Sequence, residues 1–146
     1  MRTASSSAIT VPAGALALFY GGAWLTRAHW PHAVTLQWGA DGVRAVSPLH
    51  ALVEATLVAT ALYLVFTVLA AVRPEPRRTR LFTPIRMLLP TGVLIVYAGL
   101  FFGATYGDVY RSLGLGAGLA SCLVAVLTGV ARAGLPPTRG RDPTKE

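Results

Sequence analysis

The sequence has few charged residues and very little cysteine or lysine. Charged residues make up 13% of its 146 residues, about half the share expected of a soluble globular domain. Cysteine and lysine each occur once, at Cys122 and Lys145. A single cysteine excludes a disulfide within the chain and a cysteine-based metal cluster. With 53% hydrophobic residues and a mean hydropathy of +0.55, the composition argues against a soluble enzyme.

Sequence motifs for common chemistries are missing as well. The chain has no Gly-rich phosphate loop, no plausible Ser-His-Asp set and no paired catalytic carboxylates. It also has no recognisable nucleic-acid-binding module. We therefore expect a protein that is not an enzyme, needs no cofactor and has no nucleic-acid partner.

Four apolar runs dominate what is present. Each is close to the about 20 residues that a helix needs to cross the hydrocarbon core of a bilayer. Backbone polar groups cannot stay unpaired in lipid, so these runs should be helices. They predict helices at residues 8–26, 49–72, 84–106 and 109–130, within a transmembrane domain of residues 8–133. Residues 1–7 and the polar, Pro-rich tail 134–146 are expected to be disordered.

Most basic residues fall on one side of this predicted membrane domain. Ten of the thirteen lie before the first helix, in the segment from Arg73 to Arg86 that leads into the third, or after the fourth: Arg2, Arg73, Arg77, Arg78, Arg80, Arg86, Arg132, Arg139, Arg141 and Lys145. Basic loops favour the cytoplasmic side of a membrane. The expected fold is an all-α integral membrane four-helix bundle with both termini cytoplasmic. A large outer loop is expected at residues 27–48, and a small one at residues 107–111.

A cleaved signal peptide is the competing interpretation of the first apolar run, with Ala28 near a cleavage site. The run is long for such a signal, and nothing resembling a soluble mature domain follows it. An uncleaved helix is therefore favoured. Prolines support the other limits: Ser47-Pro48 is a plausible start of the second helix and Thr83-Pro84 of the third. Pro90 would then kink the third helix.

Glycines recur every four residues in the third and fourth predicted helices. They are Gly99, Gly103 and Gly107 in the third, and Gly114 and Gly118 in the fourth. Small residues at this spacing let helix backbones approach closely in lipid. Because the connection between the two helices is short, the glycine faces are expected to meet inside the chain, with Cys122 as a further small packing residue. A homodimer interface is the alternative.

The large outer loop contains or borders all three histidines, which makes a metal site one hypothesis. Its ligands would be His29, His32, His50 and Glu54, because imidazole and carboxylate suit zinc or another divalent ion. The spacing matches no established metal motif. Interfacial placement of His and Trp side chains at the membrane surface is the favoured interpretation. Haem ligation by two of these histidines is less favoured still.

Glu54 is the only carboxylate inside a predicted span, and it shares a helix face with His50. Ionisable groups in lipid are costly, so such a residue is a functional candidate. A small oligomeric proton- or cation-coupled transporter would use it as the coupling group, which predicts that Glu54→Gln abolishes transport. Pairing with His50 or Arg44 near the outer end of the helix is the favoured interpretation.

The outer loop carries a recognisable pattern. Pro31 precedes the stretch HAVTLQW, which ends at Trp38, and the step Gly39-Ala40-Asp41-Gly42 then leads towards Ser47-Pro48. This pattern resembles the membrane domain of the SdpI-like immunity proteins of bacteria, over about residues 8–72. Two positions depart from the family: Gln37 stands at the usual loop histidine, and Val43-Arg44 replaces a second acidic residue.

The resemblance implies a bacterial plasma-membrane protein concerned with toxin immunity or signal relay. We accordingly expect it to act through a protein partner, as an immunity or signalling factor or as an accessory subunit of a membrane complex, or to form a homo-oligomer in the lipid bilayer. The loop also includes VTLQW, which alternates in polarity and suits a short extended segment. The expected outer recognition residues are Trp30, Pro31, Gln37, Trp38, Gly39, Asp41 and Gly42.

Overall fold

The computed structural model describes residues 3–37, 42–72 and 75–134. Its elements in chain order are α1 (Thr3–Leu25), a short 3-10 turn (Arg27–His29), β1 (Val34–Gln37), β2 (Val43–Val46), α2 (Pro48–Val72), α3 (Pro76–Tyr106) and α4 (Asp108–Gly134). We call the end of the helices that carries β1 and β2 the hairpin end. The opposite end, where α3 starts and α4 stops, is the arginine-rich end.

Two helices begin earlier than the sequence predicts. The first starts at Thr3, so residues 3–7 are helical, where disorder was expected. The third starts at Pro76 and runs through Thr83-Pro84, which was expected to be its start. Pro76 occupies the first turn, where its missing N–H costs nothing, and Arg77, Arg78, Arg80 and Leu81 after it are good helix formers. Both Pro84 and Pro90 are buried inside α3.

A two-stranded antiparallel hairpin replaces part of the outer loop, so an all-α fold is an incomplete description. Val34 pairs with Val46, and Leu36 with Arg44. The extended segment expected from the alternating residues is thus β1, and it is paired. Gly42 has a φ of +92°, a left-handed conformation that favours glycine where the chain enters β2.

Three described helices, α2, α3 and α4, are long and apolar enough to cross a membrane. They have 25, 31 and 27 residues. The apolar part of α1 spans Ile9–Leu25 and is shorter. Helix α4 extends at its C-terminal end to Gly134, the first residue of the predicted tail. The rest of that tail lies outside the described residues.

Helix α3 is central to the fold, since it packs against α1, α2, α4 and β1. The main hydrophobic core lies around its second half, where Leu94, Tyr97 and Phe101 are buried. Phe19 of α1 contacts Phe101 edge-on, with ring centroids 5.8 Å apart. Helices α1 and α2 touch each other little, and the Tyr20 hydroxyl links them by donating a hydrogen bond to the Leu52 carbonyl oxygen at 3.2 Å.

The contact between α3 and α4 is made by glycine. Gly114 lies directly on Gly99, so close that a Cβ on Gly114 would stand 2.2 Å from the Gly99 Cα. One turn further on, a Cβ on Gly118 would meet the Gly92 carbonyl oxygen at 2.6 Å. Near the arginine-rich end, a Cβ on Gly129 would meet the Leu81 carbonyl oxygen at 2.7 Å. The glycine faces of the two helices therefore meet inside the chain.

Gly107 does not belong to this packing face, contrary to the sequence prediction. It follows the last residue of α3 with a φ of +107°, and no atom lies within 4 Å of where its Cβ would be. Its role is to let the chain reverse between α3 and α4. Gly103 does lie on the face, against Arg111. Gly92 and Gly129 also belong to it, although the four-residue repeat did not include them.

Replacing Gly114 with alanine should separate α3 from α4. The added methyl group would overlap backbone atoms of Gly99, and we expect a loss of about 1–3 kcal/mol in the free energy of unfolding. The matched control is Gly116→Ala, because a Cβ at Gly116 meets nothing within 4 Å. Thermal unfolding in detergent measures both, and equal stability of the two variants would contradict the packing described here.

Candidate functional site

The hairpin is seated on the helices by alternate side chains of β1. Val34 and Leu36 are both 0% exposed and belong to the main core, whereas Thr35 between them points the other way. Trp30, just before the hairpin, donates a hydrogen bond from Nε1 to the Ala23 carbonyl oxygen at 2.7 Å. Its ring contacts Phe101 edge-on at 5.9 Å. The loop is thus fastened to α1 and α3 on its inner side.

The strand register brings Arg44 to the helices. Arg44 pairs with Leu36 across the ladder, and residues directly opposite each other point to the same face of a sheet. Because Leu36 faces the core, Arg44 also faces the helices. There it forms an ion pair with the carboxylate of Glu54, through Nη2 and Oε2. A single-residue slip in the register would turn Arg44 away from Glu54.

The carboxylate of Glu54 contacts side chains from β2, from α2 itself and from α3. Besides Arg44 of β2, the Nε2 atom of His50 lies 3.3 Å from Oε2, one turn earlier in α2. The Tyr97 hydroxyl of α3 donates a hydrogen bond to Oε1 at 3.0 Å. Glu54 is 22% exposed at its side chain, and Tyr97 is 2% exposed. We call Arg44, His50, Glu54 and Tyr97 the Glu54 cluster.

The Glu54 cluster neutralises a carboxylate in an otherwise apolar helix. Arg44 supplies the opposite charge from a position where its side chain is 57% exposed. Both Glu54 oxygens are engaged, one by the cation and the other by a buried hydroxyl. Such a carboxylate suits a fixed anchor between β2, α2 and α3.

The metal-site candidates do not gather around one point. His50 and Glu54 are neighbours, but His29 and His32 are exposed on the loop before β1. Within residues 3–37, 42–72 and 75–134, no three His, Cys, Asp or Glu side chains form a group that could hold a metal ion. The structure therefore unites only two of the four expected ligands.

The other expected loop residues divide into two groups. Trp30 and Pro31 are half-buried at the base of the hairpin, and Gln37 and Gly42 flank its connection. Trp38, Gly39 and Asp41 lie outside the described residues. The expected recognition loop is therefore described at its base but not at its tip.

Comparisons with protein-family models, with curated proteins and with solved structures find no match for this chain. The resemblance to the SdpI-like immunity proteins stays a prediction.

Two charged or polar residues within the helices were missed from the sequence. Tyr97 gave no signal beyond being an aromatic in an apolar run, although a buried tyrosine hydroxyl usually requires a partner. Arg86 was counted with the basic loop because the third helix was expected to start beside it. It lies ten residues inside α3, and its Nε atom is buried without a hydrogen-bond partner among the described residues.

The anchoring role of the Glu54 cluster can be tested by a double-mutant cycle on Arg44→Gln and Glu54→Gln. We expect a coupling energy of about 0.5–1 kcal/mol in thermal unfolding, because one partner is half-exposed and its charge is partly screened. Amide hydrogen exchange of Val43–Val46 should also become faster in Glu54→Gln.

The matched control is the same cycle on Glu75→Gln and Arg78→Gln. That pair is 3.9 Å apart and exposed on both sides, so its coupling should be close to zero. A coupling at Arg44 and Glu54 no larger than in this control would show that the pair does not anchor the hairpin.

Proposed function

We propose that this chain is a multi-pass protein of the bacterial plasma membrane that acts by binding a protein partner at its outer face. In this proposal α1 joins the three longer helices in a four-helix transmembrane bundle. Both termini lie in the cytoplasm, and the hairpin end faces outward. The distribution of arginines supports this orientation, since residues 77–80 and Arg132 lie at the end opposite the hairpin.

The observation that carries the proposal is the rigid seating of the hairpin. Val34 and Leu36 are buried in the core, and Arg44 is fixed by Glu54. A binding loop that is held between two paired strands loses less conformational entropy in those strands on binding, which favours affinity and specificity. Residues 38–41 connect the two strands, so they are the part of the loop that the seating would present to a partner.

The partner would be a secreted toxin or signal in an immunity or signalling factor, or a larger membrane protein if the chain is an accessory subunit. The resemblance of the loop to SdpI-like proteins supports the first. The broad lipid-exposed surface of α4 is compatible with the second, since Leu113, Leu119 and Leu127 are all well exposed. The two differ in whether the protein is stable without other chains.

A coupled transporter that uses Glu54 is the second candidate, and the carboxylate inside an apolar helix is the observation in its favour. Coupling requires Glu54 to exchange a proton or cation during each cycle. Arg44, His50 and Tyr97 occupy its oxygens, and this arrangement favours the anchoring role over exchange.

The binding proposal predicts that a loop-tip substitution releases the partner without unfolding the protein. The protein would be tagged at its C-terminus, extracted in mild detergent from its native membrane, and the proteins that accompany it identified. We expect Trp38→Ala to lose them. Trp24→Ala is the matched control, because Trp24 is a 64% exposed tryptophan on α1, near the same end but outside the loop.

A partner retained in fixed stoichiometry by the wild type and by Trp24→Ala would identify an accessory subunit. If the protein purifies alone, cells expressing it should survive a secreted membrane toxin, and Trp38→Ala should abolish this protection. Purification alone together with no protection would contradict the proposal, as would a partner that Trp38→Ala retains fully.

A further inference from the structure

The arginine-rich end contains a cleft between the first turns of α3 and the last turn of α4. Its volume is about 530 Å³, within the range of small-ligand sites, about 300–1,000 Å³. We call it the α3–α4 cleft. Its lining residues are Glu75, Arg77, Arg78, Leu81, Val130, Ala133 and Gly134.

The lining of the cleft combines basic and apolar side chains. Arg77 and Arg78 supply two exposed guanidinium groups, and Leu81, Val130 and Ala133 supply apolar surface. Among the described residues that line it, Glu75 is the one acidic residue, and its carboxylate lies 3.9 Å from Arg78 Nε. With two arginines and one carboxylate, this described lining has a net positive charge, and Arg132 lies nearby in the last turn of α4.

The position of the cleft along α3 fits the surface of a bilayer. With 31 residues, α3 is roughly 46 Å long, whereas the hydrocarbon core is about 30 Å thick. Part of α3 therefore projects beyond the hydrocarbon unless the helix tilts, and Arg77, Arg78 and Arg80 favour its first turns as that part. Leu81 packs on Gly129 of α4, so the apolar part of the lining adjoins the packing face between α3 and α4.

We infer that the α3–α4 cleft binds the headgroup of an anionic phospholipid. The guanidinium groups of Arg77 and Arg78 suit a phosphate, to which arginine can donate two hydrogen bonds at once. The first methylenes of the acyl chains would lie against Leu81 and Val130. A zwitterionic lipid carries no net charge and gains less from the two arginines.

This inference rests on the helices crossing a membrane and is independent of the partner proposed for the hairpin. The two can therefore fail separately, because the lipid experiment uses purified protein without any partner and changes residues at the opposite end.

The test measures lipid binding to the full chain in detergent by native mass spectrometry, with phosphatidylglycerol and phosphatidylcholine as probes. We expect phosphatidylglycerol to bind at least about tenfold more tightly, and Arg77→Gln with Arg78→Gln to weaken its binding by about tenfold or more. Both arginines are exposed, so the substitutions should leave the fold intact. The control is Arg27→Gln with Arg111→Gln, which removes the same charge at the hairpin end.

A second variant separates a defined site from general attraction to positive charge. Ala133→Phe fills the cleft without changing any charge, and it should also weaken phosphatidylglycerol binding. Unchanged binding in this variant, or equal losses in the two arginine pairs, would overturn the inference. Displacement of the lipid by equimolar glycerol 3-phosphate would also overturn it, because the site would then recognise a soluble phosphate rather than a membrane lipid.

Discussion

Where α3 crosses α4, backbone meets backbone, and no side chain separates Gly99 from Gly114. Lipid tails are as apolar as the helix surfaces, so the hydrophobic effect does little to hold helices together in a bilayer. Close van der Waals contact must hold the helices together instead, and only glycine allows their backbones to approach this closely. Because α3 also packs against α1, α2 and β1, the position of the whole hairpin end depends on this central helix.

At the hairpin end, polar side chains lie beside apolar helices. Glu54 is acceptable in α2 because Arg44 neutralises it and the Tyr97 hydroxyl bonds to it. The same contacts join a strand to two helices. One set of interactions thus satisfies a half-buried carboxylate and fixes the loop that we propose to be the binding element. At the arginine-rich end, by contrast, Arg77 and Arg78 are exposed, where lipid headgroups would meet them.

Helix content and the approximate spans could be predicted, since apolar runs of about 20 residues allow few other structures in lipid. The start of α3 could not be predicted, because a Thr-Pro step such as Thr83-Pro84 is compatible with the first turn of a helix and also with its interior. In the structure Pro84 and Pro90 are both buried inside α3. Gly107 was assigned to the packing face by its spacing, but its positive φ depends on the chain reversal after Tyr106.

In the candidate site, contacts between residues close in the sequence could be predicted, and contacts between distant segments could not. The fixed helical repeat places Glu54 one turn from His50 in an apolar helix, and this can be read from the residue order alone. The alternation of side chains along VTLQ can be read in the same way. The contacts of Arg44 from β2 and of Tyr97 from α3 with Glu54, in contrast, depend on how the chain folds. Strand register and helix crossing set those contacts, and both arise from packing between segments far apart in the chain.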